Sequence, residues 1–268
     1  MNVVHILDLM QLLPVQRALL ALIIASVTMP VAGVFIIGLN IQPVRFAMMH
    51  VALLGIALGL ILKVEPMLIA LGLCAASGAV VAPLADRPAG LSSPMGFLMP
   101  LAVAAALFML SVSGVNANGA FELLWGSILA TRTLDVVILA VIGAIVIGLY
   151  VAQRRNLALL LYDREIALCS GVDIQRLTLI LLVVIAVAIA ASVKFTGALL
   201  VDAITLLPAL GARNLGTSLG SMVRWSIVLA LVGNGLGFVL TLALNQPPGP
   251  MLVLTVGGLS LLTYFKKH

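Results

Sequence analysis

Eight stretches of this chain contain no charged side chain: 18–44, 46–62, 66–85, 88–121, 136–153, 177–193, 203–212 and 225–265. A hydrocarbon core about 30 Å thick is spanned by about 20 apolar residues as helix. Most of these runs therefore hold one crossing, and the longest holds two. Of the 268 residues only 9% are charged, against about 25% in a soluble domain. Such a composition excludes an ordinary soluble domain, and it excludes disorder, which needs the opposite balance. A transmembrane barrel is excluded as well, since its strands alternate polar and apolar residues and these runs do not. The expected fold is all-α: a polytopic helical membrane protein with about eight to nine spans in a single domain, 1–268.

The remaining composition mostly removes hypotheses. A formal net charge of +5 could suggest nucleic acid, but the 14 basic residues form no cluster. Cys74 and Cys169 stand far apart with no CxxC, which argues against a disulfide framework or a zinc knuckle. The N-terminus shows neither a basic n-region nor a small-residue cleavage site, so no removable signal peptide is expected.

Segment 1–16, with His5, Asp8 and Pro14, reads as amphipathic rather than spanning. Spans are expected at 18–40, 44–62, 66–85, 95–113, 135–153, 177–193, 224–244 and 251–265, with a short apolar stretch at 195–212 and a mixed, partly helical segment at 114–133. Glu65-Pro66, Asp86-Arg87-Pro88 and the run from Asn245 to Pro250 punctuate the breaks. Lysine and arginine mark cytoplasmic loops, and they are densest in loop 154–176 and at Lys266-Lys267. Both regions lie on one side only if 195–212 also crosses. The N-terminus is then outside, with ten basic residues (45, 87, 154, 155, 164, 176, 213, 224, 266 and 267) inside and four (17, 63, 132 and 194) outside. Small-residue pairs such as Gly55 and Gly59, Gly143 and Gly148, and Gly233 and Gly237 suit close helix packing.

Enzymatic chemistry is not indicated. The chain has no HExxH, no paired intramembrane carboxylates and no phosphate-binding GxxxxGK(S/T) loop. Transport would need a gradient or a separate subunit to drive it. Asp202 is the one acid well inside an apolar segment. A carboxylate there costs about 2.5–3.5 kcal/mol on insertion scales and usually faces a cavity or a partner. It is either a structural acid bonded to Thr196, Thr205 or unwound backbone, or a contact for an ion or substrate. Pro208, six residues on, is expected to break the helix ladder. His50 is the second intramembrane polar group, either a satisfied structural residue or a ligand, and Met48 and Met49 beside it are soft ligands or packing residues. In loop 162–176, Asp163 caps a short helix that ends at Gly171. Its apolar Ile166, Leu168 and Cys169 make it either an amphipathic helix on the membrane or a docking helix for a cytoplasmic partner.

Several of these blocks, in this order, resemble the permease subunit of the zinc/manganese/iron family of ABC importers. Met48 through Gly59 resembles that family's histidine-bearing second helix. Asp163 through Gly171, with Ala167 at the matching interval, resembles its ATPase-coupling helix. Gly197-Ala198-Leu199-Leu200 continuing to Leu207-Pro208-Ala209 resembles its G-x-L-L … P-A segment. Leu124 through Leu129 and the Pro247–Pro250 turn also fit. The family usually carries Gly-Asp-Ala-x-Ser-His in its second helix; here Phe46 stands where the Asp is expected and Met49 where the Ser is. Asp202 takes a position usually held by Ser.

The resemblance implies a homodimeric permease in the bacterial inner membrane, moving a divalent metal ion or metal complex by alternating access. It implies a cytoplasmic ATP-binding subunit docked on Asp163, Ala167 and Gly171, and an extracytoplasmic substrate-binding protein. It implies no intrinsic cofactor, with His50 and Asp202 as metal contacts. Rival readings are a secondary transporter with Asp202 as proton carrier and a structural subunit that moves nothing.

Overall fold

In the computed structural model the described residues are 12–86, 92–112, 128 and 131–265. Residues 1–11, the Arg87-Pro88 turn, most of 114–133 with the Leu124–Leu129 block apart from Ile128, and the tail Lys266–His268 lie outside them. The elements are α1 (Leu13–Gly38), α2 (Gln42–Leu62), α3 (Pro66–Val81) running into a 3-10 turn (Ala82–Asp86), α4 (Ser92–Val112), α5 (Thr133–Tyr162), α6 (Arg164–Cys169), α7 (Ile174–Leu215), α8 (Leu219–Leu244) and α9 (Pro248–Phe265). No strand occurs among the described residues.

Local sequence sets most boundaries. Prolines open α1, α2 and α3, where the missing N–H would be unpaired in any case. Lys63 and Asn245, both in the left-handed region, close α2 and α8. Two expectations need correction. Residues 13–16 belong to the first spanning helix rather than to a separate amphipathic segment. Residues 154–162 are not loop: α5 runs on to Tyr162 and carries Arg154 and Arg155 on helical turns.

Eight described helices are long and apolar enough to cross a membrane. The first arm of α7 and the second half of α1 form the interior, with Leu182, Ala186, Ile189, Ala190 and Ile36 fully buried. By contrast α4, α5 and α9 leave rows of large apolar side chains uncovered, as expected of helices that face lipid. Two polar contacts inside the bundle join helices: Asn234 Nδ2 donates to Ser26 Oγ at 2.8 Å, and Thr263 Oγ1 to the Gly211 carbonyl at 3.1 Å.

The element that positions the site is α7, which folds back on itself. Gly197 has φ 74° and ψ 162° inside it, a conformation that only glycine adopts readily. The break comes at Gly197 and not at Pro208, through which the helix continues. Residues 174–196 are about 35 Å long as helix and residues 198–215 about 27 Å, each close to one membrane thickness. A cavity of about 680 Å³ is lined jointly by Gly38, Arg155, Tyr162, Arg213 and Leu219. It places the ends of α1 and α5, the end of the second arm and the start of α8 at one end of the bundle. Since α6 joins α5 to the start of α7 there, the first arm leaves that end and the second arm returns to it. The 195–212 stretch thus runs back along the bundle to the end that the first arm left, and the end of α9 lies at the same end as α6.

The returning arm lies very close to α1: a Cβ at Gly33 would collide with the Thr205 carbonyl. Of the other glycine pairs, Gly55 and Gly59 meet α3 and Gly233 and Gly237 meet α9, while Gly143 meets Thr28 and Gly148 faces open space.

Replacing Gly197 with Ala forces an L-residue into a backbone region that costs about 1–3 kcal/mol. The detergent-solubilised protein is expected to show a lower midpoint in a thermal unfolding scan. An unchanged midpoint would mean that the reversal does not depend on glycine.

Candidate functional site

One face of α2 stays open. Phe46, His50, Leu54 and Leu58 follow one another at four-residue spacing and are all partly or largely exposed, while Ala47–Met49 and Val51–Leu53 are buried. His50 sits within this stripe. Its Nδ1 lies 2.7 Å from the Phe46 carbonyl. A carbonyl can only accept, so Nδ1 carries the proton and donates, and Nε2 keeps its lone pair. A neutral ring in this tautomer can offer Nε2 to a metal ion, and no other described residue pairs with the ring.

The adjacent position points the other way. Arg45 is 2% exposed, and its Nη1 is ion-paired with Oδ1 of Asp202 on the returning arm of α7. The guanidinium also lies 4.1 Å from the centroid of the Phe46 ring, a cation–π contact. Either charge alone at membrane depth would be costly, and removing one member of a buried pair typically costs about 3–5 kcal/mol. The pair ties α2 to the returning arm. Phe46 joins both halves of the site, because its ring covers Arg45 while its carbonyl orients His50.

Of the residues expected from sequence, Asp202 is tied to α2 through Arg45, and His50 is oriented by the carbonyl of the next residue, Phe46. Neither Thr196 nor Thr205 partners Asp202; Thr196 Oγ1 donates to the Ser192 carbonyl at 2.7 Å. The methionines are packing residues, buried in the core, and the Met48 carbonyl accepts from Cys74 Sγ at 3.4 Å. Among the described residues no three His, Cys, Asp or Glu side chains cluster as a closed metal cage. The residue that sequence reasoning missed is Arg45, which was counted as a loop charge. Its signal was its place within the charge-poor second helix, one residue before the expected carboxylate.

A second feature stands at the end of the bundle. Asp163 Oδ1 accepts the N–H groups of Glu165 (2.7 Å) and Ile166 (3.1 Å), starting α6. At its other end the Gly171 N–H donates to the Leu168 carbonyl and the Val172 N–H to the Ala167 carbonyl, with Gly171 at φ 77°. These paired bonds form a Schellman motif. Ala167 is fully buried against the bundle, whereas Tyr162, Ile166, Leu168 and Cys169 are exposed beyond the spans.

Residues 11–267 match the ABC 3 transport family. The chain belongs to that family. Its likeness to individual relatives runs nearly end to end. It is 26% identical over 253 residues to the high-affinity zinc uptake system membrane protein ZnuB of Haemophilus influenzae, covering 94% of this chain and 97% of that one. It is 24% identical over 251 residues to the manganese import system permease protein ScaB of Streptococcus gordonii, covering 93% and 90%. Among solved structures, PsaBC from Streptococcus pneumoniae in complex with Fab shares the fold with a TM-score of 0.86 at 23% identity, over 99% of this chain and 96% of that one. A metal-chelate type ABC transporter in an inward-facing conformation aligns with a TM-score of 0.75 at 15% identity, over 94% and 85%. As an ABC 3 family member this chain is the membrane-spanning permease, and ATP hydrolysis belongs to a separate subunit.

Removing the Asp163 cap costs about 1 kcal/mol of helix stability. Asp163→Ala is therefore expected to speed amide hydrogen exchange at Glu165 and Ile166 about fivefold, while amides within α7 keep their protection. Equal exchange in both proteins would show that the cap does not hold α6.

Proposed function

We propose that this permease imports a divalent metal ion, of the zinc or manganese class, as a homodimer whose path runs along the open stripe of α2. The observation that carries the reading is His50, presented on that stripe with Nε2 available. Imidazole and carboxylate together suit a borderline divalent ion, and Asp202, 32% exposed, is the carboxylate that the ion pair with Arg45 ties to the same helix. Zinc and manganese are also the metals in the names of the relatives. A path must release what it binds, so an open pair of ligands per chain fits better than a closed four-ligand site. Asp202 as the proton carrier of a secondary transporter fits less well, because its Oδ1 is already taken by the Arg45 guanidinium.

Energy enters through α6. An ATP-binding subunit docks on its exposed apolar side chains, while Ala167, seated against α5 and α7, passes the movement of nucleotide-driven closure to the bundle. The cavity between Arg155 and Arg213 lies at the same end, which is the cytoplasmic one by its positive charge. Cargo is delivered at the opposite end, beside Asn245–Pro250, by an extracytoplasmic binding protein. Access then alternates between the two ends, nucleotide shifting the population from one to the other.

Single cysteines at Ser170 and Gln246, in a background lacking Cys74 and Cys169, should be labelled from opposite sides of the membrane. Same-side labelling would remove the assignment of ends. In cells, His50→Ala and Asp202→Asn should each lower uptake of radioactive Zn2+ or Mn2+ at least tenfold, with the complex still assembled. Wild-type uptake by both across a range of metal concentrations would take both residues out of the path.

A further inference from the structure

Arg45 holds a permanent charge next to the proposed path. An arginine stays protonated at any pH the protein meets. Its guanidinium is almost wholly buried, paired with Asp202 and covered by the Phe46 ring. Neither Arg45 nor Asp202 has a second charged partner among the described residues. The ion pair as a whole therefore carries no net charge.

The arrangement weakens Asp202 as a ligand. A metal ion taking the carboxylate would bring two positive charges beside a buried guanidinium and would strip that guanidinium of its counter-ion. Both effects oppose retention, and both are strong away from water. Phe46 holds the guanidinium from the other side, so Arg45 is fixed where it competes best. The His50 imidazole, oriented by the Phe46 carbonyl, keeps its lone pair free of this competition.

We propose that Arg45 sets how weakly the path holds its cargo, as a tethered cation that competes with the transported metal for Asp202 and keeps the metal from being retained. The proposal rests on the assignment of His50 and Asp202 to the path. Its consequence is that Arg45 removal turns a site of passage into a site of storage: metal is bound more tightly and released more slowly.

The test is equilibrium dialysis of Zn2+ against the assembled complex of permease and ATP-binding subunit in lipid nanodiscs. R45Q keeps a hydrogen-bonding group beside Asp202 and is expected to bind Zn2+ at least tenfold more tightly than wild type. R45Q/D202N and R45Q/H50A are expected to lose that gain. Equal affinity in wild type and R45Q overturns the proposal and leaves the ion pair as a structural tie alone. A wild-type complex that already binds as tightly as R45Q, with D202N and H50A each weakened, also overturns it while the ligand assignment stands. Unchanged binding in H50A, D202N and R45Q alike removes the ligand assignment together with the proposal. If R45Q does not co-purify with the ATP-binding subunit, R45K is read in its place, because a lysine keeps the charge but not the two-pronged fork. Intermediate tightening in R45K is then expected, and wild-type affinity overturns the proposal.

Discussion

Inside a bilayer there is no water to pair with a backbone or side-chain polar group, and every part of this structure answers to that constraint. Helices satisfy their own backbone, which is why the charge-free runs become long helices. Most buried hydroxyls turn back on their own helix carbonyls or reach a neighbouring helix, as Ser26 and Asn234 do at 2.8 Å. Charges have no such local remedy. Among the described residues Arg45 and Asp202, on different helices, are found together, and the pair ties α2 to the returning arm of α7.

Close approach of the backbone makes that pairing geometrically available. Gly33 lets the returning arm lie directly against α1, and Gly197 lets the chain reverse within the membrane without a long polar loop. A straight helix over 174–215 would be about 63 Å long and would carry Asp202 far out of reach of α2. The reversal brings it back to mid-bundle. Backbone freedom at one glycine, an ion pair between distant segments, and a histidine held by the residue beside that ion pair form one connected chain of causes.

The spans were legible because charge exclusion is a strong and local signal, and the 154–162 error arose because the same signal fails once a helix leaves the lipid and carries Arg154 and Arg155 into water. The α6 turn was legible because Asp163 and Gly171 satisfy local rules that need no tertiary context. Gly197 was not singled out as the break, since a glycine in an apolar run reads equally as a packing residue, and Pro208 gave the louder signal. Arg45 was missed for a different reason. A cation at the edge of a span looks like a loop charge until its counter-ion is known, and that counter-ion sits at the far end of the sequence. His50 and Asp202 could each be named from sequence, but the groups that define their chemical state, the Phe46 carbonyl and the Arg45 guanidinium, could not.

Phe46 in place of the expected carboxylate first looks like a loss of function, because it removes an acid one turn from His50. The surroundings of Phe46 give the substitution a different sense. An aspartate at 46 would stand next to Arg45 and would compete with Asp202 for the guanidinium, leaving one carboxylate free and the local charge negative. The aromatic ring instead stacks on the guanidinium and commits it to Asp202, so the local charge is zero. Ring and carboxylate therefore depend on each other. Asp202 is tolerable at membrane depth because Arg45 neutralises it, Arg45 is tolerable because Asp202 and the ring surround it, and the ring is useful only because no acid stands in its place. Phe46, Arg45 and Asp202 make sense as a set, and His50 is the one polar group of the neighbourhood whose lone pair this set leaves free.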